Sequence, residues 1–341
     1  MKKIHFILLV LLFAWSGVIA QTANAQQYKY VFTVAKDGTG DYKYIQDAID
    51  AMRAYPLAPI TLFIKNGVYQ EKIEVPAYNT DITFIGESAE QTIISFNDFS
   101  GRGKTNTFTS YTAKISGNRF VAENITFVNS AGTVGQALAL YVDADKAVFK
   151  NCRFLGNQDT IFAAGENARQ LFLACYIEGT TDFIFGPSTA VFQNCTIRAK
   201  KNSYITAAST IQGKKFGYVF LDCKIMADSA VTKLFLGRPW RAYAKTVFLR
   251  CELPKQIAAE GWNNWGNPQN EITVFYAEYK CTGEGAIISK RAAWSKQLSD
   301  KEAKEYTLEH IFSKNSFVQQ ESNWFQQIRT KAFEWPSVKS N

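Results

Sequence analysis

A five-fold pattern, Phe-x-x-Cys, constrains this chain more than any other feature. It occurs at Phe149–Cys152, Phe172–Cys175, Phe192–Cys195, Phe220–Cys223 and Phe248–Cys251, each time preceded by strand-forming residues such as Ala147-Val148 or Thr246-Val247. Successive cysteines are 23, 20, 28 and 28 residues apart, the interval at which one supersecondary unit recurs in a solenoid. No helix of ten or more residues is expected between copies, which excludes a sheet wound with helical crossovers. The expected fold is all-β: a right-handed parallel β-helix. A β-sandwich is the competing architecture, but it gives no reason for one cysteine register to persist through five copies. Strand-like segments at Ile60–Ile64 and Ile82–Ile85 extend the repeat upstream.

An open β-helix end is an unpaired edge, so a lid is expected at each end. Residues Tyr42 to Tyr55 carry Ile45, Ala48, Ile49 and Met52 at helical spacing, with Asp41 placed to cap the start. Ser299-Asp300-Lys301-Glu302 has the signature of a capping box and opens a second helical segment running towards Ile311. The stretch from about 298 to 341 is expected to be a C-terminal helical tail.

Six cysteines in an exported chain would ordinarily suggest disulfides. Five of them, however, share a strand position that an earlier copy, Phe120-Val121-Ala122-Glu123-Asn124-Ile125, fills with Ile125. A slot that accepts Cys or Ile is buried and apolar, so a stack of reduced thiols is expected. Cys281 reads as out of register and is left unassigned. Asn151 and Asn194, each just before its cysteine, read as a structural ladder.

The chain begins Met1-Lys2-Lys3, then an apolar run from Phe6 to Trp15 and small residues ending at Ala20 or Ala25. This is the pattern of a secretory signal peptide over residues 1–25, too short to span a membrane. A single domain is expected over 26–341, monomeric and exported to the periplasm or beyond. Losing Lys2 and Lys3 lowers the formal net charge from +8 by two, to +6. A basic surface favours a polyanionic partner. The export signal argues against nucleic acid, and no membrane partner is expected.

Two aspartates occupy equivalent places in the repeat: Asp159 and Asp182 each lie seven residues after a repeat cysteine. In a parallel stack, equivalent positions on adjacent turns are about 4.8 Å apart. Two carboxyls this close titrate in coupled steps, one keeping its proton near neutrality, which yields one acid and one base or nucleophile. Most turn aspartates are merely solvated, but the neighbours here point to chemistry. Gln158 precedes Asp159, and Gln136 lies one turn upstream, so amide donors suited to an oxyanion flank the pair. Downstream, Leu236-Gly237-Arg238-Pro239-Trp240 supplies a guanidinium able to orient a carboxylate and an indole able to stack on a sugar. The chain has 2 histidines, His5 in the leader and His310 in the tail. A Ser-His-Asp or Cys-His hydrolase and a histidine-rich metal site are thereby disfavoured. No metal or cofactor is expected.

Five blocks in order, Gly67-Val68-Tyr69-Gln70-Glu71, Gln136-Ala137-Leu138-Ala139-Leu140, Gln158-Asp159-Thr160, Asp182-Phe183-Ile184-Phe185-Gly186 and Leu236-Gly237-Arg238-Pro239-Trp240, resemble the motifs of the pectin methylesterases. Lesser similarities, among them Tyr204-Ile205-Thr206-Ala207 and Gly261-Trp262-Asn263-Asn264-Trp265, carry the resemblance over roughly residues 30 to 312. The resemblance implies a right-handed parallel β-helix and hydrolysis of methyl esters on polygalacturonate, with methyl-esterified homogalacturonan as partner. It implies Asp182 as nucleophile, Asp159 as the acid and then base, Gln136 and Gln158 as oxyanion donors, and Arg238 as the residue that fixes Asp182. Trp240, Phe185 and Tyr204 are implied to contact the sugar. The block from Gly67 to Glu71 is read as structural. Thr210 departs from the family's usual basic residue, and the segment from Ser313 onward departs from its usual ending. A pectin-degrading glycoside hydrolase remains the alternative enzyme, because two carboxyls about 5 Å apart also suit retaining glycosidases.

Overall fold

The computed structural model describes residues 28–313, 323–326 and 328; the expected signal peptide and most of the expected tail beyond Ser313 lie outside them. Among the described residues the strands form one eleven-stranded and two seven-stranded sheets, with parallel pairing throughout the recorded strand pairs. Seven consecutive coils contribute one strand to each sheet, and the eleven-stranded sheet runs on past them at both ends. In one such coil, Ala147–Lys150 joins the eleven-stranded sheet, Arg153–Leu155 the second and Ile161–Ala163 the third. This is the parallel β-helix the repeat predicted, and its coil is right-handed, as parallel crossovers almost always are.

The repeat works by stacking like on like. Phe149, Phe172, Phe192, Phe220 and Phe248 point inward as a column, with ring centroids 5.0, 4.7, 4.6 and 4.3 Å apart and planes within 13° of parallel. The residue before each repeat cysteine turns the chain out of the first sheet with a left-handed backbone: φ is 50° at Asn151, 52° at Ala174, 55° at Asn194 and 55° at Asp222. Asn and Asp tolerate this conformation best. Asn151 also donates to Asn124 Oδ1 at 2.7 Å, consistent with a ladder. That sharp corner swings the next side chain inward, which buries the thiol.

All six cysteines are free thiols. Five are fully buried, as expected, and each bonds a backbone carbonyl, for instance Cys195 Sγ to Phe172 O at 3.3 Å. The reading of Cys281 requires correction. Leu249 pairs with Tyr279, so Cys281 stands directly on Cys251 and extends the stack, its Sγ 3.5 Å from Phe248 O. The sequence concealed this because Glu278 replaces the phenylalanine of the earlier copies.

The N-terminal lid is present but shorter than expected, Ile45–Asp50, with Ile45, Ala48 and Ile49 buried against the end of the coil. Asp41 does not cap it. Its carboxylate instead accepts from the Thr33 backbone and hydroxyl at 2.8 and 2.9 Å. Glu71 performs the capping from 26 residues away, accepting from Ile45 N–H at 2.8 Å and Gln46 N–H at 3.1 Å, which gives the Gly67–Glu71 block a structural role.

Among the described residues, the C-terminal helices do not close the other end. The capping box at Ser299 forms as predicted, but the helix stops at Ala303 and a second runs from Leu308 to Ser313. Leu308, Ile311 and Phe312 pack on the outer face of the eleven-stranded sheet, over Val148, Leu171, Val191 and Val219. Those outward positions are apolar and need a cover. The C-terminal end is closed by the loop that follows Cys281. There Arg291 forms a buried ion pair with Glu278, its Nε 2.7 Å from Oε1, and Trp294 packs against Tyr276.

Candidate active site

Register places the chemistry. The strand Ile161–Ala163 pairs with Ile184–Gly186, with Ile161 opposite Ile184. Asp159 and Asp182, each two residues earlier, are therefore equivalent positions on neighbouring coils, about one strand spacing apart. Both turn outward on left-handed backbone, φ 65° and 48°, a conformation rare for a residue with a side chain and here held by the ladder. Asp159 N–H donates to Thr181 O at 3.1 Å and Asp182 N–H to Tyr204 O at 2.9 Å. Gln136, on the coil just upstream, bridges Gln158, the residue before Asp159, with Ala137 N–H bonded to Gln158 O at 3.1 Å.

These residues share one cavity of about 330 Å³, lined by Thr107, Gln136, Gln158, Asp159, Asp182 and Arg238 together with the apolar walls Phe108, Phe185, Trp240 and Trp265. Both aspartates are 6% exposed. Arg238 meets Asp182 with a two-pronged contact, Nε to Oδ1 at 3.0 Å and Nη2 to Oδ2 at 2.6 Å. The guanidinium comes from two coils further on, because Gly237 pairs with Thr206 and Thr206 with Ile184.

The two carboxyls differ in charge for a local reason. Burial and the neighbouring charge of Asp182 push Asp159 up from 3.8 to about 8, against the pull of Arg238, so at neutral pH it holds a proton. Burial also raises Asp182, but the Arg238 hydrogen bonds and charge oppose this. A guanidinium fork on both oxygens favours the carboxylate form. Asp182 is the charged member, and the shared cavity holds one acid and one anion.

Sequence reasoning named Gln136, Gln158, Asp159, Asp182, Phe185, Arg238 and Trp240, and the fold gathers all seven around this cavity. Tyr204 is not among the lining residues; its ring lies against the Arg238 guanidinium, 3.9 Å from carbon to centroid. Phe108 and Trp265 received no role from the sequence. Phe108 sits in a single 3-10 turn, Thr107–Thr109, capped by Asn106, and reaches Phe162 at 5.1 Å. Its capping pattern was readable locally, but its approach to the cavity was not. Trp265 falls in a block whose resemblance was visible, and nothing local marked its ring as facing Arg238 at 3.7 Å.

The pectinesterase family model matches residues 31–315. The chain belongs to the pectinesterase family. It is 39% identical over 281 residues to pectinesterase 31 of Arabidopsis thaliana, covering 79% of this chain and 88% of that protein. Among solved structures, pectin methylesterase from carrot matches with a TM-score of 0.79 and 33% identity, over 85% of this chain and 95% of that one. A pectin methylesterase in complex with a hexasaccharide matches with a TM-score of 0.71 and 30% identity, over 86% of this chain and 99% of that one. The pectinesterase match spans the whole solenoid, so every lining residue of the cavity falls inside it.

Proposed function

We propose that this protein hydrolyses the methyl esters of methyl-esterified homogalacturonan, releasing methanol and leaving pectate, through an acyl intermediate on Asp182. The observation that carries this reading is the pairing in one cavity of a protonated Asp159 with an Asp182 held by both prongs of Arg238. Asp182 attacks the C6 carbonyl carbon. The oxyanion that forms accepts from the amides of Gln136 and Gln158, donors whose worth is greatest where charge develops. Asp159 passes its proton to the ester oxygen, and methanol departs. Now a carboxylate, Asp159 takes a proton from water as that water attacks the acyl carbon, which frees Asp182 and the galacturonate carboxyl. Phe185 and Trp240 form apolar walls for the sugar and its methyl group.

Two amides placed to receive a developing oxyanion serve acyl transfer, and the family match likewise favours the esterase over a glycosidase. Export and a mature unit starting at residue 26 belong to the same proposal, supported by the leader-like N-terminus and checked by N-terminal sequencing of secreted protein; a monomeric state is proposed with them and checked by gel filtration. The deciding assay incubates wild type, Asp159→Asn and Asp182→Asn with methylated pectin. Methanol from wild type alone, with no new reducing ends and no unsaturated products, is the expected result. Methanol release retained by either variant would remove the assigned roles.

A further inference from the structure

Arg238 is held by more than its carboxylate. Its guanidinium carbon lies 3.9 Å from the centroid of the Tyr204 ring and 3.7 Å from that of Trp265, so two aromatic rings pack on the same cation while its edge engages Asp182. Tyr204 belongs to the solenoid wall, opposite Phe235 in register and stacked on it at 5.2 Å. Trp265 does not. It stands on a loop, 38% exposed, with φ 64°. A non-glycine residue in that region is strained, and strain persists only where the surroundings enforce it.

The surroundings of Trp265 do so in detail. Asn263 Oδ1 accepts from Trp265 N–H at 2.8 Å and Asn264 Oδ1 from Gly266 N–H at 2.9 Å. Asn264 is itself tied down, donating to Glu271 at 2.7 Å and accepting through its carbonyl from Asn270 at 3.0 Å. The base of the loop is attached beside the cation it serves. Trp262 bridges Gly237, and Asn263 N–H donates to Gly237 O at 3.1 Å, one residue from Arg238. The loop thus positions one ring relative to one guanidinium.

Resting on the esterase reading above, we propose that Trp265 is a positioning residue: with Tyr204 it holds the Arg238 guanidinium in the plane of the Asp182 carboxylate, and so keeps the nucleophile ionised and aimed. An arginine fork recognises a carboxylate only when the two planes coincide. Its side chain otherwise has several rotatable bonds and water to solvate it. Aromatic faces attract the cation and remove that water. The groups facing Asp182 are Asp159 from the preceding coil and Arg238 from the loop side, with the Tyr276 phenol inside the coil sensing the same charge. Of these, Arg238 alone favours the carboxylate, so loosening it makes Asp182 a weaker acid.

Trp265 also lines the cavity, and a mere substrate wall must be distinguished from a clamp. The variants are Trp265→Leu, which keeps apolar bulk but has no π face, and Trp265→Phe, which keeps one. Both are assayed on methylated pectin for kcat, KM and the pH profile of kcat/KM, and the Asp182 carboxyl is titrated by 13C NMR without substrate. In Trp265→Leu, kcat is expected to fall by about tenfold to a hundredfold, the range associated with small misplacements. Its acid limb and the Asp182 titration should both move up by about one pH unit, and Trp265→Phe should restore most of each. A Leu variant that raises KM while leaving kcat, the acid limb and the carboxyl titration unchanged would overturn the clamp. A wild type that releases no methanol would instead remove the esterase reading, and the Asp182 titration would still decide whether the ring holds the ion pair.

Discussion

Asp159 destabilises the fold it serves, and removing its charge should show by how much. An aspartate in the unfolded chain ionises near 3.8, whereas in the folded protein burial and Asp182 raise Asp159 to about 8. The sign follows from proton linkage. A group whose folded value is raised contributes stability that is complete below 3.8 and is lost as the pH climbs towards 8. Between 3.8 and pH 7 lie about three pH units, each worth about 1.4 kcal/mol, so the wild type forfeits about 4 kcal/mol at pH 7 relative to acid. Asp159→Asn has the same shape and no proton to lose. Allowing about 1 kcal/mol for burying the amide, the variant should gain about 3 kcal/mol over wild type at pH 7, a rise in Tm of roughly 6 °C for a chain this long. At pH 4 most of that advantage should vanish. Urea unfolding and calorimetry of both proteins at the two pH values measure it. An advantage of equal size at both, or a loss at pH 7, would refute the claim that Asp159 is held protonated by its surroundings.

The same proton governs catalysis: kcat/KM on methylated pectin should decline as the pH rises through about 8, where Asp159 ceases to be an acid, and a profile flat to pH 10 would exclude it from that role. Gln136→Ala and Gln158→Ala should each lower kcat by about a hundredfold to a thousandfold with little change in KM, as loss of an oxyanion donor does; steady-state kinetics will show whether the split is reversed. Glu71→Ala removes the acceptor for Ile45 and Gln46 N–H and should cost about 1 to 2 kcal/mol in urea unfolding without altering kcat. Phe192→Ala opens the middle of the ring column and should cost about 3 to 5 kcal/mol, whereas a loss below 1 kcal/mol would mean the column is not a packed core.

Periodicity alone determined a great deal of this protein. A pattern that keeps Phe and Cys in phase can only stack, and stacking equivalent positions makes Asp159 and Asp182 neighbours. The ladder read at Asn151 is present, since it donates to Asn124 on the preceding coil, whereas Asn194 has Ala174 and Asp222 at the equivalent positions of its neighbouring coils. Phase also misled where the pattern lapsed: Glu278 in a phenylalanine slot hid the register of Cys281. Capping was less legible. Asp41 had the right local spacing, yet Glu71 won because the adjoining coil brings its carboxylate to the helix start. The C-terminal helices have a clear start signal, but whether they lie over an end or a side depends on which apolar surface remains bare, and only the assembled sheet exposes Val148, Leu171 and Val191 together. Likewise the residue types at Phe108, Tyr204 and Trp265 were plain, while their convergence on the cavity and on Arg238 depended on loops from separate coils. Repetition fixes what lies one strand spacing away; contacts made by non-repeating loops are set by how the whole coil closes.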